Sequence, residues 1–169
     1  MFAFSLDAAA PKPELYRELV AAAKALVEGE SDAIANMANV AALIGQYVPD
    51  LNWAGFYRVV EGGSVSRELV LGPFIGKPAC IRIAMGQGVC GAAAASGETQ
   101  LVHDVHAFPG HIACDADSRS ELVVPVRHDG RVVAVIDLDS PQLARFDGQD
   151  AAGIEALAAL LAPILGTTL

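Results

Sequence analysis

Basic residues are scarce in this chain. Its 169 residues include 11 Lys and Arg against 20 Asp and Glu, which gives a formal net charge of −9 at pH 7. Nucleic-acid binding depends on cationic side chains that neutralise phosphates, and docking on an anionic membrane surface needs the same charges. The composition therefore argues against both, and we expect neither a nucleic acid nor a membrane as partner.

Long apolar runs are also missing. No stretch reaches the roughly 18 apolar residues of a transmembrane helix, and residues 1–13 carry neither a basic leader nor a long apolar core. We therefore expect a cytoplasmic protein, whose thiols stay reduced. The three cysteines agree with this, because an odd number does not make a closed disulfide framework.

Linkers, low-complexity tracts and internal repeats are absent from the sequence. At about 100–200 residues per domain, we expect a single domain over residues 1–169, with 1–13 as an N-terminal arm. Hydrophobic residues make up 53% of the chain and charged residues 18%. This composition excludes a disordered chain and is sufficient for a sizeable core.

Hydrophobic spacing predicts two helices, then a sheet. Apolar residues recur at helical spacing from Leu15 to Leu26, before Gly29, and from Ile34 to Ile44, after a Ser31 or Asp32 cap. A short helix is predicted over 89–96 and a last helix from Asp147 or Gly148, and the strand segments are 53–60, 67–71, 80–84, 99–103, 121–127 and 131–138. The order is ααβββαββα, with some freedom in the strand count. The last two strands are joined across His128-Asp129-Gly130, which is a hairpin signal. Because hairpins dominate, we predict an α+β fold with a largely antiparallel sheet and helices on its faces.

The three cysteines, Cys80, Cys90 and Cys114, are the first candidates for chemistry. None forms a C-x-x-C pair, so neither a zinc ribbon nor a dithiol redox motif is encoded locally. His111 lies three residues before Cys114 and makes one weak metal pair without a second. We therefore expect no metal site.

The settings of the cysteines differ from that of an ordinary core thiol, which is the common role of a lone cysteine. Cys90 follows Gly86-Gln87-Gly88 at a helix start, where the helix dipole favours a thiolate. Cys114 lies in a polar loop, between acidic neighbours that raise its pKa and basic neighbours that lower it. Cys80 shares the face of a predicted strand with Arg82. Both Cys90 and Cys114 are therefore candidate thiolates.

Three carboxylates form the second candidate group. Asp137 and Asp139 are two residues apart on a predicted strand and point to the same side, while Glu121 opens the partner strand of the hairpin. Carboxylates on an apolar strand face are costly unless they are solvated or used. The simpler interpretation is a solvated strand end. If they are crowded together, they raise each other's pKa values and one keeps its proton at neutral pH.

Trp53 and Tyr57 are four residues apart and share one face of the first predicted strand. An aromatic core pair is the interpretation that the pattern favours. The functional alternative is a wall for a small apolar group such as a thioether methyl. The sequence leaves both open.

Several segments in order carry a family resemblance. They are NWAGFY at 52–57, LGPFIGKPAC at 71–80, GQGVCG at 86–91, DVHAFPGHIACD at 104–115, SE at 120–121 and DLDSP at 137–141. From about Leu15 to the last helix, the chain resembles the free methionine-R-sulfoxide reductases, which are single GAF domains. The resemblance implies a GAF fold and the reduction of free L-methionine (R)-S-oxide to L-methionine. It also implies thioredoxin as external reductant and no bound cofactor.

The resemblance further implies that the three cysteines form the redox set. We assign Cys114 as the nucleophile that attacks the sulfoxide sulfur, Cys90 as the principal resolving thiol and Cys80 as an auxiliary resolver that passes the disulfide outward. The helix-start argument for Cys90 leaves the reverse assignment of the first two open. Glu121 and Asp139 are candidate acids for the sulfoxide oxygen.

A free amino acid also needs partners for its charged ends. We expect the three carboxylates, Glu121, Asp137 and Asp139, to serve the ammonium or the oxygen, in a division that the sequence does not give. Backbone N–H groups near 86–90 are candidates for the substrate carboxylate, and Trp53 and Tyr57 for its apolar end. We expect a homodimer through the terminal helices. The alternative function is a non-catalytic GAF module that senses a small molecule.

Overall fold

The domain is built on one six-stranded sheet. A computed structural model describes residues 10–61, 67–112 and 115–168. Its helices are α1 (Lys12–Val27), α2 (Ala33–Tyr47), α3 (Gly88–Ser96) and α4 (Gly148–Thr168), with a 3₁₀ turn at Val105–Ala107. Its strands are β1 (Trp53–Val60), β2 (Glu68–Gly76), β3 (Arg82–Ala84), β4 (Gln100–Val102), β5 (Ser120–His128) and β6 (Arg131–Ser140).

The strand order across the sheet is β3-β2-β1-β6-β5-β4. Every neighbouring pair in this order is antiparallel. The predicted α+β fold, with a largely antiparallel sheet and helices on its faces, is therefore confirmed. The strand count that the sequence left open is six in the described residues.

Local signals place several element ends. Gly29 follows α1 with a φ of 80°, a left-handed conformation that favours glycine. Asp32 caps α2, its side chain accepting a 2.8 Å hydrogen bond from the backbone N–H of Ala35. Asp129 and Gly130 join β5 to β6 with φ values of 49° and 76°, the pattern of a type I′ hairpin turn. These three sequence signals are confirmed.

Several boundaries differ from the prediction. The third strand is only Arg82–Ala84, so the expectation that Cys80 lies on a strand is wrong. The backbone carbonyl of Cys80 instead accepts from the Tyr57 hydroxyl at 3.1 Å, and Pro78 lacks a backbone N–H. Helix α1 begins at Lys12, inside the predicted arm, because Pro13 fits the first turn of a helix. Residues 1–9, and the part of the predicted turn at 61–63 after residue 61, lie outside the described residues.

The sheet separates two apolar cores. The helix-side core lies between the sheet and α1, α2 and α4, and the site-side core lies on the opposite face under α3. Helix α4 is long and apolar enough to cross a membrane by length and composition, yet half of that stretch is buried inside the domain. It packs mainly on β5 and α1, as the core helix of a folded domain does.

Candidate active site

A narrow cavity opens on the α3 side of the sheet. About 40 Å³ inside it is available to the centres of water molecules, which is room for a few waters and suits a small ligand better than a folded chain. Most of the candidate residues share it. Its lining is Trp53, Tyr57, Lys77, Pro78, Ala79, Ile83, Gln87, Gly88, Val89, Cys90, His111, Ile112, Asp115, Ser118, Glu121, Asp137 and Asp139.

Sheet register brings three of these side chains into one row. Trp53 on β1 pairs with Asp139 on β6, and Asp139 pairs with Glu121 on β5. Directly opposed residues in an antiparallel sheet point to the same face. We name Trp53, Asp139 and Glu121 the site row. Asp137 lies two residues before Asp139 on the same face and completes the group of carboxyls.

The ring of Trp53 has a fixed position. It stacks on Phe74 with centroids 5.3 Å apart and planes 13° apart, and on Tyr57 at 6.0 Å. A Cβ atom at Gly55 would lie 2.7 Å from the ring and 2.4 Å from Phe74 Cβ. Gly55 therefore leaves the space that the stacked ring needs.

The polar ends of the two aromatic residues hold the cavity rim. Trp53 Nε1 donates to the carbonyl of Lys77 at 3.1 Å, and the Tyr57 hydroxyl donates to the carbonyl of Cys80. Both rings are also buried in the site-side core. The two interpretations of this pair are thus compatible, because the rings fill the core and line the cavity at once.

Cys90 lies next to the carboxyl groups of Glu121 and Asp137. Ligand atoms of Cys90, Glu121 and Asp137 are all within 4.8 Å of one another, and all three residues are buried. Burial raises the pKa of the Cys90 thiol well above its ordinary value, and the charges of Asp137 and Glu121 raise it further. The expectation that the helix start makes Cys90 a thiolate is wrong here. A helix dipole contributes at most about 2 kcal/mol, while full burial shifts a pKa by up to about 3–5 units.

Burial disfavours the charged forms of the three carboxyls. Burial raises the pKa of Glu121 well above its ordinary value, and the charges of Asp137 and Asp139 add to this. The pKa of Asp139 is also raised well above its ordinary value, first by burial and then by the charge of Asp137. Burial raises the pKa of Asp137 to about 7, against hydrogen bonds from Cys90 and Glu121 that lower it. Glu121 is therefore a proton donor and Asp137 an acceptor.

A polar network closes the cavity mouth. Lys77 Nζ contacts Asp115 Oδ1 at 3.0 Å and Asp117 Oδ2 at 2.6 Å. Asn52 Nδ2 donates to Asp115 Oδ2 at 3.2 Å and to Ser118 Oγ at 3.0 Å. The network ties the segment from Asp115 to Ser118 to the start of β1 and to the residues after β2.

Comparisons with known proteins agree with this geometry. The profile of the GAF domain family matches residues 34–165. The free methionine-R-sulfoxide reductase of Escherichia coli is 45% identical over 157 residues, covering 93% of this chain and 92% of that protein. The chain belongs to this reductase family of GAF domains.

Two solved structures are similar to the whole domain. The free methionine-R-sulfoxide reductase of Neisseria meningitidis, solved in complex with its substrate, is 45% identical with a TM-score of 0.91, and the match covers 99% of this chain and 98% of that one. A structure named as a GAF sensor protein from Burkholderia vietnamiensis is 54% identical with a TM-score of 0.86, covering 94% and 98%. A structure named as the enzyme and one named as a sensor are thus both highly similar to this chain.

The residues singled out by the family resemblance are mostly brought together. The cavity lining includes Cys90, the three carboxyls and both aromatic residues. Cys80 lies half-buried after β2, next to the lining residues Pro78 and Ala79 rather than in the cavity wall itself. Cys114 lies outside the described residues, so its position relative to Cys90 stays a prediction.

Sequence reasoning missed three residues of the cavity lining, Lys77, Gln87 and Ser118, and their neighbour Asn52. Asn52 and Ser118 form hydrogen bonds across the mouth, Lys77 pairs with the acidic loop, and Gln87 caps α3. Only Lys77 gave a usable signal, because it is a cation three residues before Cys80 in sequence. The others act through contacts between segments distant in the chain.

Fewer backbone N–H groups near Gly86 are available to a ligand than the sequence predicts. The N–H of Gly86 donates to the carbonyl of Gly91 at 2.8 Å, and that of Gln87 donates to Ala84 at 3.1 Å. The N–H groups of the first residues of α3, Gly88 to Cys90, have no acceptor within their own helix. These residues line the cavity.

Proposed function

We propose that this protein reduces free L-methionine (R)-S-oxide to L-methionine. The observation that carries the proposal is a narrow cavity in which buried carboxyls with raised pKa values, a buried thiol and a stacked tryptophan meet. Sulfoxide oxygen is a poor leaving group unless it is protonated, and the cavity supplies an acid next to a thiol. Family membership and the substrate complex of the Neisseria relative support the same reaction.

The cavity chemistry fits the parts of a free amino acid. The Trp53 ring offers an apolar wall for the S-methyl group, and Asp137 offers a carboxylate for the ammonium. The N–H groups at the start of α3 suit the substrate carboxylate. A sulfoxide inside a peptide chain has no free ends for these partners, and the narrow cavity leaves little room for its neighbours.

In the first chemical step, Cys114 is the nucleophile. Its thiolate attacks the sulfoxide sulfur while Glu121, with Asp139, protonates the oxygen. Oxygen passes to the cysteine, methionine leaves, and Cys114 becomes a sulfenic acid. Two observations support this assignment. The raised pKa of Cys90 makes it a poor thiol for the first attack. Lys77 pairs with Asp115 and Asp117, the acidic residues that follow Cys114 in sequence.

In the second step, Cys90 resolves the sulfenic acid. Asp137 accepts a hydrogen bond from the Cys90 thiol and is placed to take its proton as the sulfur attacks. Water leaves and a disulfide forms. Exchange with Cys80, half-buried at the rim, moves the disulfide outward, where the two thiols of thioredoxin reduce it. The reaction needs no bound cofactor, and we place it in the cytoplasm, where such dithiol reductants act.

We also propose a homodimer. An apolar groove lies between α1 and α4, lined by Pro13, Tyr16, Val20, Ala152, Gly153 and Ala156 among others. A second copy seated there would cover this surface. Light scattering at micromolar concentration should give twice the chain mass, and a mass of one chain would remove this proposal.

A thioredoxin-coupled assay tests the function. NADPH oxidation is followed with thioredoxin reductase, thioredoxin and either diastereomer of free methionine sulfoxide. We expect consumption of the (R) form only, and no activity on a methionine sulfoxide inside a peptide. Efficient reduction of the (S) form or of the peptide would contradict the proposed cavity.

A sensing module is the second candidate, and the sensor name of the Burkholderia relative favours it. Such a module would bind a small molecule in the same cavity without consuming it. Calorimetric binding of methionine sulfoxide, with no methionine formed by the reduced protein, would establish the sensor and exclude the enzyme.

A further inference from the structure

When the cysteines are reduced, the cavity contains an unusual set of atoms that can coordinate a metal ion. The sulfur of Cys90 and carboxyl oxygens of Glu121 and Asp137 lie within 4.8 Å of one another. Ligand atoms around a tetrahedral Zn²⁺ are separated by roughly 3.3–3.8 Å, given bond lengths of about 2.0–2.3 Å. A small contraction would therefore bring the three atoms into one coordination sphere.

One oxygen of this set has no partner. Asp137 is 5% exposed, and its Oδ1 atom is buried without a hydrogen-bond partner among the described residues. A buried carboxylate oxygen without a donor is energetically costly. Asp137 lines the cavity, so a cation entering there would satisfy it.

A fourth donor lies at the edge of the set. His111 Nε2 is 4.0 Å from Glu121 Oε2, and His111 also lines the cavity. Thiolate, imidazole and carboxylate together select Zn²⁺ or its softer analogue Cd²⁺ over Mg²⁺ and Ca²⁺.

We propose that the reduced protein binds one Zn²⁺ ion through Cys90, Glu121 and Asp137, with His111 as fourth ligand, and that this ion excludes the substrate. Binding forms a sulfur–metal bond and releases the protons of Cys90 and Glu121 to solvent, without change of oxidation state. A disulfide at Cys90 removes the sulfur donor and releases the ion. Metal binding itself does not depend on the proposed reductase function; only the competition with substrate does.

Cadmium titration tests the site directly. The charge-transfer absorbance of a Cd²⁺–thiolate bond is followed in the ultraviolet, in a Cys80→Ser/Cys114→Ser background where Cys90 is the remaining thiol. We expect saturation at one equivalent and displacement of Cd²⁺ by Zn²⁺. Changing an outer partner of a metal ligand costs about 10–100-fold in affinity, so Glu121→Gln and Asp137→Asn, which change direct ligands, should each weaken Cd²⁺ binding at least about 100-fold.

The controls separate the site from general charge. Glu98→Gln removes the same charge at an exposed position outside the cavity and should leave the affinity unchanged. Circular dichroism confirms that each variant is folded. Unchanged Cd²⁺ affinity in both Glu121→Gln and Asp137→Asn, or no thiolate absorbance in the background protein, would overturn the proposal. Raised KM for methionine sulfoxide with added Zn²⁺ would then test the competition separately.

Discussion

Two neighbouring rows of paired residues in the sheet have opposite roles. The site row joins Trp53, Asp139 and Glu121, and the row next to it joins Ala54, Leu138 and Leu122 in the same register. The second row points to the helix side, where all three side chains are fully buried in the helix-side core. A shift of one residue along each strand thus leads from the apolar helix-side core to the face that carries the acidic residues.

The difference teaches where stability and chemistry lie. Burying an apolar side chain such as Leu138 stabilises the fold by about 1.5–3 kcal/mol. Burying carboxyls has the opposite effect, since the charged form is disfavoured and protons are retained. The carboxyls of the site row are therefore held in place by their neighbours rather than by their own burial, and the four predictions below test that separation.

The largest effect is expected at the two thiols to which the reaction is assigned, Cys114 and Cys90. Cys114→Ser should abolish formation of methionine in a single turnover, because no other described or assigned group takes the oxygen. Cys90→Ser should still form about one equivalent but fail to recycle. Rapid quench with methionine quantification measures both. A full first turnover in Cys114→Ser would transfer the nucleophile role to Cys90.

Next in size is the loss of the proton donor. Glu121→Gln or Asp139→Asn should slow the first turnover by at least about 10², within the range of 10²–10⁴ typical of general acid catalysis. Exchange of the disulfide with thioredoxin should be unaffected. The exposed Glu98→Gln is the matched control and should react at the wild-type rate. Wild-type first turnovers in both site variants would remove the acid role of this buried cluster.

Removing apolar bulk from the neighbouring row should affect the other property. Leu138→Ala leaves a cavity in the helix-side core and should lower the free energy of unfolding by about 2–5 kcal/mol. Urea denaturation measures this. The rate of the first turnover should stay within a few-fold of wild type while the protein is folded. A rate loss as large as that of Asp139→Asn would mean that the two rows are not separable.

The smallest effect concerns stability against pH. Asp137 has a native pKa of about 7 and an unfolded value near 3.9, so between those values the native state binds more protons. Stability contributed by this group is present below about pH 4 and is lost as the pH rises through 7. Asp137→Asn should therefore gain a few kcal/mol relative to wild type between pH 4 and pH 8. An equal slope in both proteins would contradict a protonated Asp137.

Much of this arrangement can be predicted from the sequence. Period-two alternation places Asp137 and Asp139 on one face, and Asp129-Gly130 specifies the hairpin. The pairing of Glu121 is harder to predict. Counted back from the turn pair His128–Arg131, Glu121 falls opposite Leu138, but a bulge between Val126 and Arg127 shifts it opposite Asp139. No feature of the apolar sequence of β6 predicts that bulge.

The state of Cys90 is a second limit of sequence reasoning. The local pattern gives the helix start and its dipole, which favour a thiolate. How deeply α3 is pressed against β5 and β6 depends on packing between distant segments, including the contact of Gly91 with Ala84, where a Cβ atom would lie 2.5 Å from the carbonyl oxygen. Burial then outweighs the dipole and reverses the prediction.

Infrared spectroscopy of the carboxyl groups tests the central claim most directly, namely that the site row holds a proton at neutral pH. Wild-type protein at pH 7 should show the C=O stretch of a protonated carboxyl, shifted in deuterium oxide, and Glu121→Gln should weaken it while Glu98→Gln leaves it intact. Absence of a protonated carboxyl at pH 7, or an unchanged band in Glu121→Gln, would contradict the account.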